Sequence, residues 1–262
     1  MRVLLGMCAD DSRAAVALAV PVLIGIAADP HHPHRAAALS GLAAPARTRY
    51  FGLASRDELL LHRSGSQHEA LDDYGVEVTG YPAGWSVAAA RTAITAGTSL
   101  LLPLLEDSDP AIRIDASYAL ATATSADASH TVRDAFATRF AVEQNPMVVA
   151  ALVLATAETT RAHPHRSAIA WIRDLWQDPA QTPEVRLAAA IGWLCLTDDP
   201  APDTLHTVVA VLATEERART MDALPWMAAV GGNEPGLLRC VRRMLHPDEP
   251  DPYSDDPWAS QP

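Results

Sequence analysis

Leu100-Leu101-Leu102-Pro103-Leu104-Leu105-Glu106-Asp107-Ser108-Asp109-Pro110-Ala111-Ile112-Arg113 is the stretch whose reading decides the fold. An apolar run stops at Glu106. Asp109 then offers a side-chain oxygen to the free N–H groups of a new helix, and Pro110 sits at a first helical position, where its missing N–H costs nothing. One helix therefore ends and another begins inside fourteen residues. The same arrangement returns downstream. Pro110-Ala111-Ile112-Arg113 leads to Ala116, Ala119 and Leu120; Pro146-Met147-Val148-Val149 leads to Leu152, Ala155 and Thr156; Pro183-Glu184-Val185-Arg186 leads to Ala189, Gly192 and Trp193. The prolines are 36 and 37 residues apart. A looser copy, Pro33-His34-Arg35 leading to Ala38, Gly41 and Leu42, places its Arg 78 residues before Arg113, close to two repeat lengths.

Each copy reads as the second helix of a hairpin, with small residues at i, i+3 that let neighbouring helices approach closely. The first helices are expected at Ala93 to Leu105, Val132 to Val142, Ile169 to Trp176 and Leu205 to Leu212. A single pair cannot bury its own apolar face, so the unit has to recur and stack. The expected fold is all-α, a right-handed α-α superhelix in one domain over residues 1–245, with one irregular insertion or degenerate repeat at 43–85 and a tail at 246–262.

The Leu100–Arg113 stretch resembles a HEAT repeat, including the short type found in phycobilin lyases. The family pattern places an Asp six residues before an Arg, and Asp107 with Arg113 and Asp29 with Arg35 match it. The resemblance implies a solenoid in which Asp29, Arg35, Asp107, Arg113 and Arg186 form structural ladders between neighbouring repeats. Val149 stands at the Arg position of one copy and Ala180 at the Asp position of another, so the ladder should be broken there. HEAT-like arrays host scaffolds, lyases, glycosylases and hydroxylases alike, so the resemblance speaks for the fold and hardly for function.

Composition narrows the function. Of 262 residues, 49% are hydrophobic, which is ample for a continuous core. Fifty are Ala, and all twenty basic residues are Arg. The bias fits a GC-rich bacterial genome, and Ala, Leu and Arg also favour helix. A net charge of −12 opposes nucleic-acid binding, which draws on cations that neutralise phosphates. The one Arg cluster, Arg239, Arg242 and Arg243, suits the end of a final helix. Cys8, Cys195 and Cys240 lack CxxC spacing and read as buried thiols of a reducing, cytoplasmic setting. The apolar stretch Ala14 to Ala28 is too short for a bilayer and is interrupted by Pro21 and Gly25, so it reads as the first core helix and no membrane partner is expected.

Between 43 and 85 the pattern fades. Three of the five tyrosines, Tyr50, Tyr74 and Tyr81, lie here with Trp85, Arg56, Asp57, Asp72 and Asp73. Long irregular insertions in compact domains tend to be functional, and aromatic content argues against disorder. Three readings stay open: a degenerate repeat whose aromatics cap the core, a segment that packs across the concave face as a binding edge, and, least favoured, disorder. These eight residues are the candidate binding set.

Metal and catalytic signatures are weak. The tetrapeptide His-Pro-His-Arg occurs at His32 to Arg35 and at His163 to Arg166, in positions expected to be surface turns far apart in the array. HEAT-like deoxyhypusine hydroxylases carry iron on several His-Glu pairs; this chain has one, His68-Glu69, so that activity is not carried over. HEAT-like alkylpurine glycosylases use a basic, aromatic-lined groove, whereas Trp171, Trp176, Trp193 and Trp226 fall at core spacing here. No metal, no cofactor and no catalytic residue is assigned. The tail from His246 to Pro262 is acidic and Pro-rich and is expected to remain extended. The expected function is a scaffold or adaptor that binds a protein or peptide. The alternative is a lyase-like or accessory enzyme acting on a small-molecule or cofactor-bearing substrate.

Overall fold

The computed structural model describes residues 13–47, 59–60, 81–82, 84–123, 125–197, 199–231 and 234–246. Among them the chain is all-α, with thirteen α-helices, one 3-10 helix and no strand. It divides into two compact units, one holding the described residues of 13–47 and 81–143, the other residues 59–60 and 144–246.

In the first unit, α1 (Arg13–Ala28) buries Val16, Ala17, Val20, Leu23, Ile24 and Ala27, one face at helical spacing. Pro21 and Val22 lie on its exposed side. The chain turns through His31–His34 into α2 (Arg35–Leu42), which packs back on α1. Further on come α3 (Trp85–Ala96), α4 (Thr98–Leu101), the 3-10 helix η1 (Leu102–Glu106), α5 (Pro110–Leu120) and α6 (Ala126–Phe140). The axis bends by 62° at Gly97, so the single helix expected at Ala93 to Leu105 is instead broken into α3, α4 and η1. A Cβ there would lie 2.7 Å from Ile24 Cδ1, so the bend and the packing on α1 share one glycine. Helix α1 touches α3 and α2 touches α5, so the two helical pairs on either side of 43–84 pack directly on one another.

Each of the three aligned prolines opens a helix. Asp109 Oδ1 accepts the Ala111 N–H at 2.9 Å ahead of Pro110. Asn145 Oδ1 accepts the Met147 and Val148 N–H groups at 3.0 and 3.4 Å ahead of Pro146. Pro183 begins its helix after Thr182, which makes no side-chain cap.

The second unit contains α7 (Pro146–Ala162), α8 (Arg166–Gln177), α9 (Pro183–Leu196), α10 (Asp203–Leu212), α11 (Glu215–Met221), α12 (Pro225–Val230) and α13 (Gly236–Leu245). Its centre is α7 against α9, with α8 packed on both. The expected small-residue contact is present: a Cβ on Gly192 would come within 3.0 Å of Ala157 Cβ. Trp176 and Trp226 are fully buried and Trp193 nearly so, as their core spacing predicts, whereas Trp171 is only half-buried on α8. Helices α12 and α13 meet at Gly236, where a Cβ would lie 1.8 Å from the Met227 carbonyl oxygen.

Cys195 and Cys240 are buried, and Cys8 lies outside the described residues. Among the described residues no single helix is long and apolar enough to cross a membrane.

Candidate functional site

Charged side chains in the first unit form one connected chain. Arg35, at the start of α2, places Nη2 2.6 Å from Asp107 Oδ2 and donates from Nε to the Ala27 carbonyl at 2.9 Å. Arg113, on α5, donates from Nη1 to the carbonyls of Asp107 and Ser108 at 2.6 and 3.2 Å, and grips Glu143 with Nε and Nη2. Arg139, on α6, bridges Glu143 and Glu106 at 2.7 and 2.6 Å. Burial pushes the Asp107 carboxyl up, but the Asp109 N–H and the Arg35 guanidinium outweigh it, and the group is held below its ordinary value. The Arg139 guanidinium is likewise drawn down by burial and carried above its usual range by Glu143 and Glu106. Asp29 turns to its own loop, accepting the His31 N–H at 2.9 Å, and Arg186 donates to the Trp176 carbonyl at 3.3 Å.

The start of the irregular segment is fastened to this unit. The Arg47 guanidinium lies over the Tyr118 ring, 3.6 Å from its centroid, and donates to the Tyr118 carbonyl at 2.9 Å. Arg91 Nε donates to the Ala46 carbonyl at 2.9 Å. Tyr118 shares the least buried strip of α5 with Ala111 and Asp115. Partial burial, with the Asp109 charge adding, pushes the Asp115 carboxyl up to about 6. Nothing in the sequence singled out Asp115, because an acid at that spacing reads as solvated until its burial is known.

The segment's far end carries an aromatic pair. Tyr81 stacks on Trp85 with ring centroids 4.0 Å apart and planes 10° from parallel. Tyr81 remains 37% exposed, and Gly84 between them takes φ 73°, a left-handed conformation that glycine adopts freely. Trp85 is the first residue of α3 rather than part of a loop. Of the predicted binding set, Tyr81 and Trp85 are thus brought together, while Tyr50, Arg56, Asp57, Asp72, Asp73 and Tyr74 lie outside the described residues.

Two features in the second unit were not anticipated. Glu158, fully buried on α7, accepts the Trp226 Nε1–H at 2.8 Å. An open cleft of about 640 Å³ is walled by Glu215, Arg219, Asp222, Gly231 and Glu234. Arg219 pairs with Glu215, Arg242 with Glu234 Oε2, and Asp222 Oδ1 accepts the Gly236 N–H at 2.9 Å. The histidine tetrapeptides fall in the turns between α1 and α2 and between α7 and α8. Among the described residues no group of His, Cys, Asp and Glu is placed to hold a metal ion.

Compared with protein-family models, curated proteins and solved structures, the chain matches none.

Proposed function

We propose that the protein is a non-enzymatic interaction module that binds a protein or peptide along the edge formed by residues 43–85. The observation that carries this reading is the sorting of aromatic side chains. Phe136, Trp176 and Trp226 are at most 1% exposed within helix packing and Tyr118, Phe140 and Trp171 are half-buried, whereas Tyr81, stacked on Trp85, is 37% exposed where the irregular segment enters α3. An aromatic pair held in place by a helix start loses little conformational entropy when a partner covers it, which is why such residues anchor interfaces. A photocrosslinking residue introduced at Tyr81 should trap a discrete protein in native extract, and one at the exposed Val142 should not. Equal labelling at both positions would refute the assignment of the edge.

The helical pairs are read, within each unit, as HEAT-like repeats. The charge pairing supports this. The Arg of one copy reaches the acid before the next: Arg35 to Asp107, and Arg113 to Glu143, which stands six residues before Val149 as Asp107 stands before Arg113. In that register the following rung would join position 149 to position 180. Val149 and Ala180 are then the two ends of one missing rung, and neither leaves a buried charge behind.

Asp115 favours a second reading, an enzyme or accessory factor acting on a small molecule. A carboxyl pushed up to about 6 exchanges protons near neutrality, as a general acid or base must.

A further inference from the structure

The cleft between α11, α12 and α13 has no part in the proposed edge, and its charges are unequally satisfied. Arg219 and Glu215 are both 65% exposed, so their pair exchanges readily with solvent or with a competitor. Asp222 is fixed by the Gly236 N–H. Glu234 differs from both. Its side chain is only 9% exposed, Arg242 occupies Oε2, and Oε1 is buried with no hydrogen-bond partner. Buried carboxylate oxygens in folded proteins are nearly always paired, and an acceptor left open in the wall of a cleft marks a place for a donor. The final torsion of a glutamate is soft, so a donor entering the cleft would meet Oε1 by turning the carboxylate about that bond.

We infer that this cleft receives the guanidinium of an arginine side chain from another polypeptide, with Glu234 Oε1 as its buried acceptor and Glu215 released from Arg219 to meet it. With Arg219 on Glu215 and Arg242 on Glu234, the three carboxylates of the wall keep one negative charge in excess, which favours a cation. The planar guanidinium fork presents parallel donors that can serve two acceptors at once, which an ammonium point charge does less well. The net charge of −12 steers basic partners toward the molecule. No residue of the cleft wall belongs to 43–85, so either assignment can fail without the other.

The test is a titration of the full chain with N-acetylarginine amide, followed through the backbone amide resonances of Gly231 and Gly236. N-acetylcitrulline amide, equal in shape and uncharged, is the control. Saturable shifts with a Kd on the order of millimolar are expected for the arginine compound alone. Glu234→Gln should weaken binding at least about tenfold. Because that change also loosens Arg242, Arg219→Gln provides the independent arm: it removes the competitor for Glu215 at an exposed position and should tighten binding severalfold. Equal shifts with citrulline, absence of saturable shifts, or binding unchanged in both variants would overturn the proposal.

Discussion

Arg113 and Glu143 face each other through two parallel hydrogen bonds, Nε to Oε2 at 2.9 Å and Nη2 to Oε1 at 3.1 Å, with side chains 9% and 2% exposed. A pair this buried gives little net stability over an apolar pair, but losing one partner is costly because the other charge is stranded. Here Arg139 also holds Glu143, which softens the loss. Arg113→Ala is expected to cost about 2–4 kcal/mol in a urea melt, and Arg113→Ala with Arg139→Ala more than the sum of the two. Additive losses would mean that the two arginines do not share Glu143.

Glycine substitutions separate close packing from helix propensity. Gly236→Ala places a Cβ against the Met227 carbonyl oxygen, a backbone atom that cannot move alone, and should destabilise by more than about 3 kcal/mol. Gly25→Ala, on the open side of α1, has nothing within 4 Å and should stabilise by about 0.5–1 kcal/mol. Ala119→Leu, fully buried on α5, should cost about 1–3 kcal/mol by overpacking. Thermal melts of the three variants order them directly.

Asp115 gives the stability a dependence on pH. Its carboxyl is raised from 3.8 to about 6, so between those values the folded chain binds more protons than the unfolded chain and stability falls as pH rises. Asp115→Asn removes the penalty on the ionised form. The variant should exceed wild type by about 1–3 kcal/mol near pH 8, and the difference should shrink as pH falls through about 6. A difference that does not vary with pH would place Asp115 in solvent.

The acidic chain should bind neither single- nor double-stranded DNA near about 150 mM salt. Fluorescence anisotropy with a labelled duplex checks this. Submicromolar, salt-sensitive binding would reopen the comparison with glycosylase-like arrays.

Much of the helical frame was legible because its signals are local. Proline at a first helical position after Asp109 and Asn145, apolar spacing along Ala14 to Ala28, and the small residue Gly192 each depend on residues close in sequence or on one repeated offset, whereas its neighbour Ala157 does not follow from that offset. The charge chain was legible only in part. The Asp–Arg spacing drew attention to Arg35, Asp107 and Arg113, but spacing within one copy does not tell that Arg35 reaches Asp107 across 72 residues or that Glu143 is the acid for Arg113. Asp115 and Glu234 were missed for a different reason: what distinguishes them is desolvation, which depends on what packs around them. Trp85 was placed in the irregular segment because an aromatic beside Gly84 resembles a loop until the helix that follows is seen to begin there.

The most direct test of the account is the triple change Tyr50→Ala, Tyr74→Ala, Tyr81→Ala, in which protein capture from native extract and circular dichroism are measured on one preparation. If residues 43–85 hold the partner, the protein captured by wild type is lost while the helical signal and melting midpoint stay close to wild type. Loss of the cooperative melt together with capture, or capture that persists unchanged, would contradict the assignment of binding to residues 43–85.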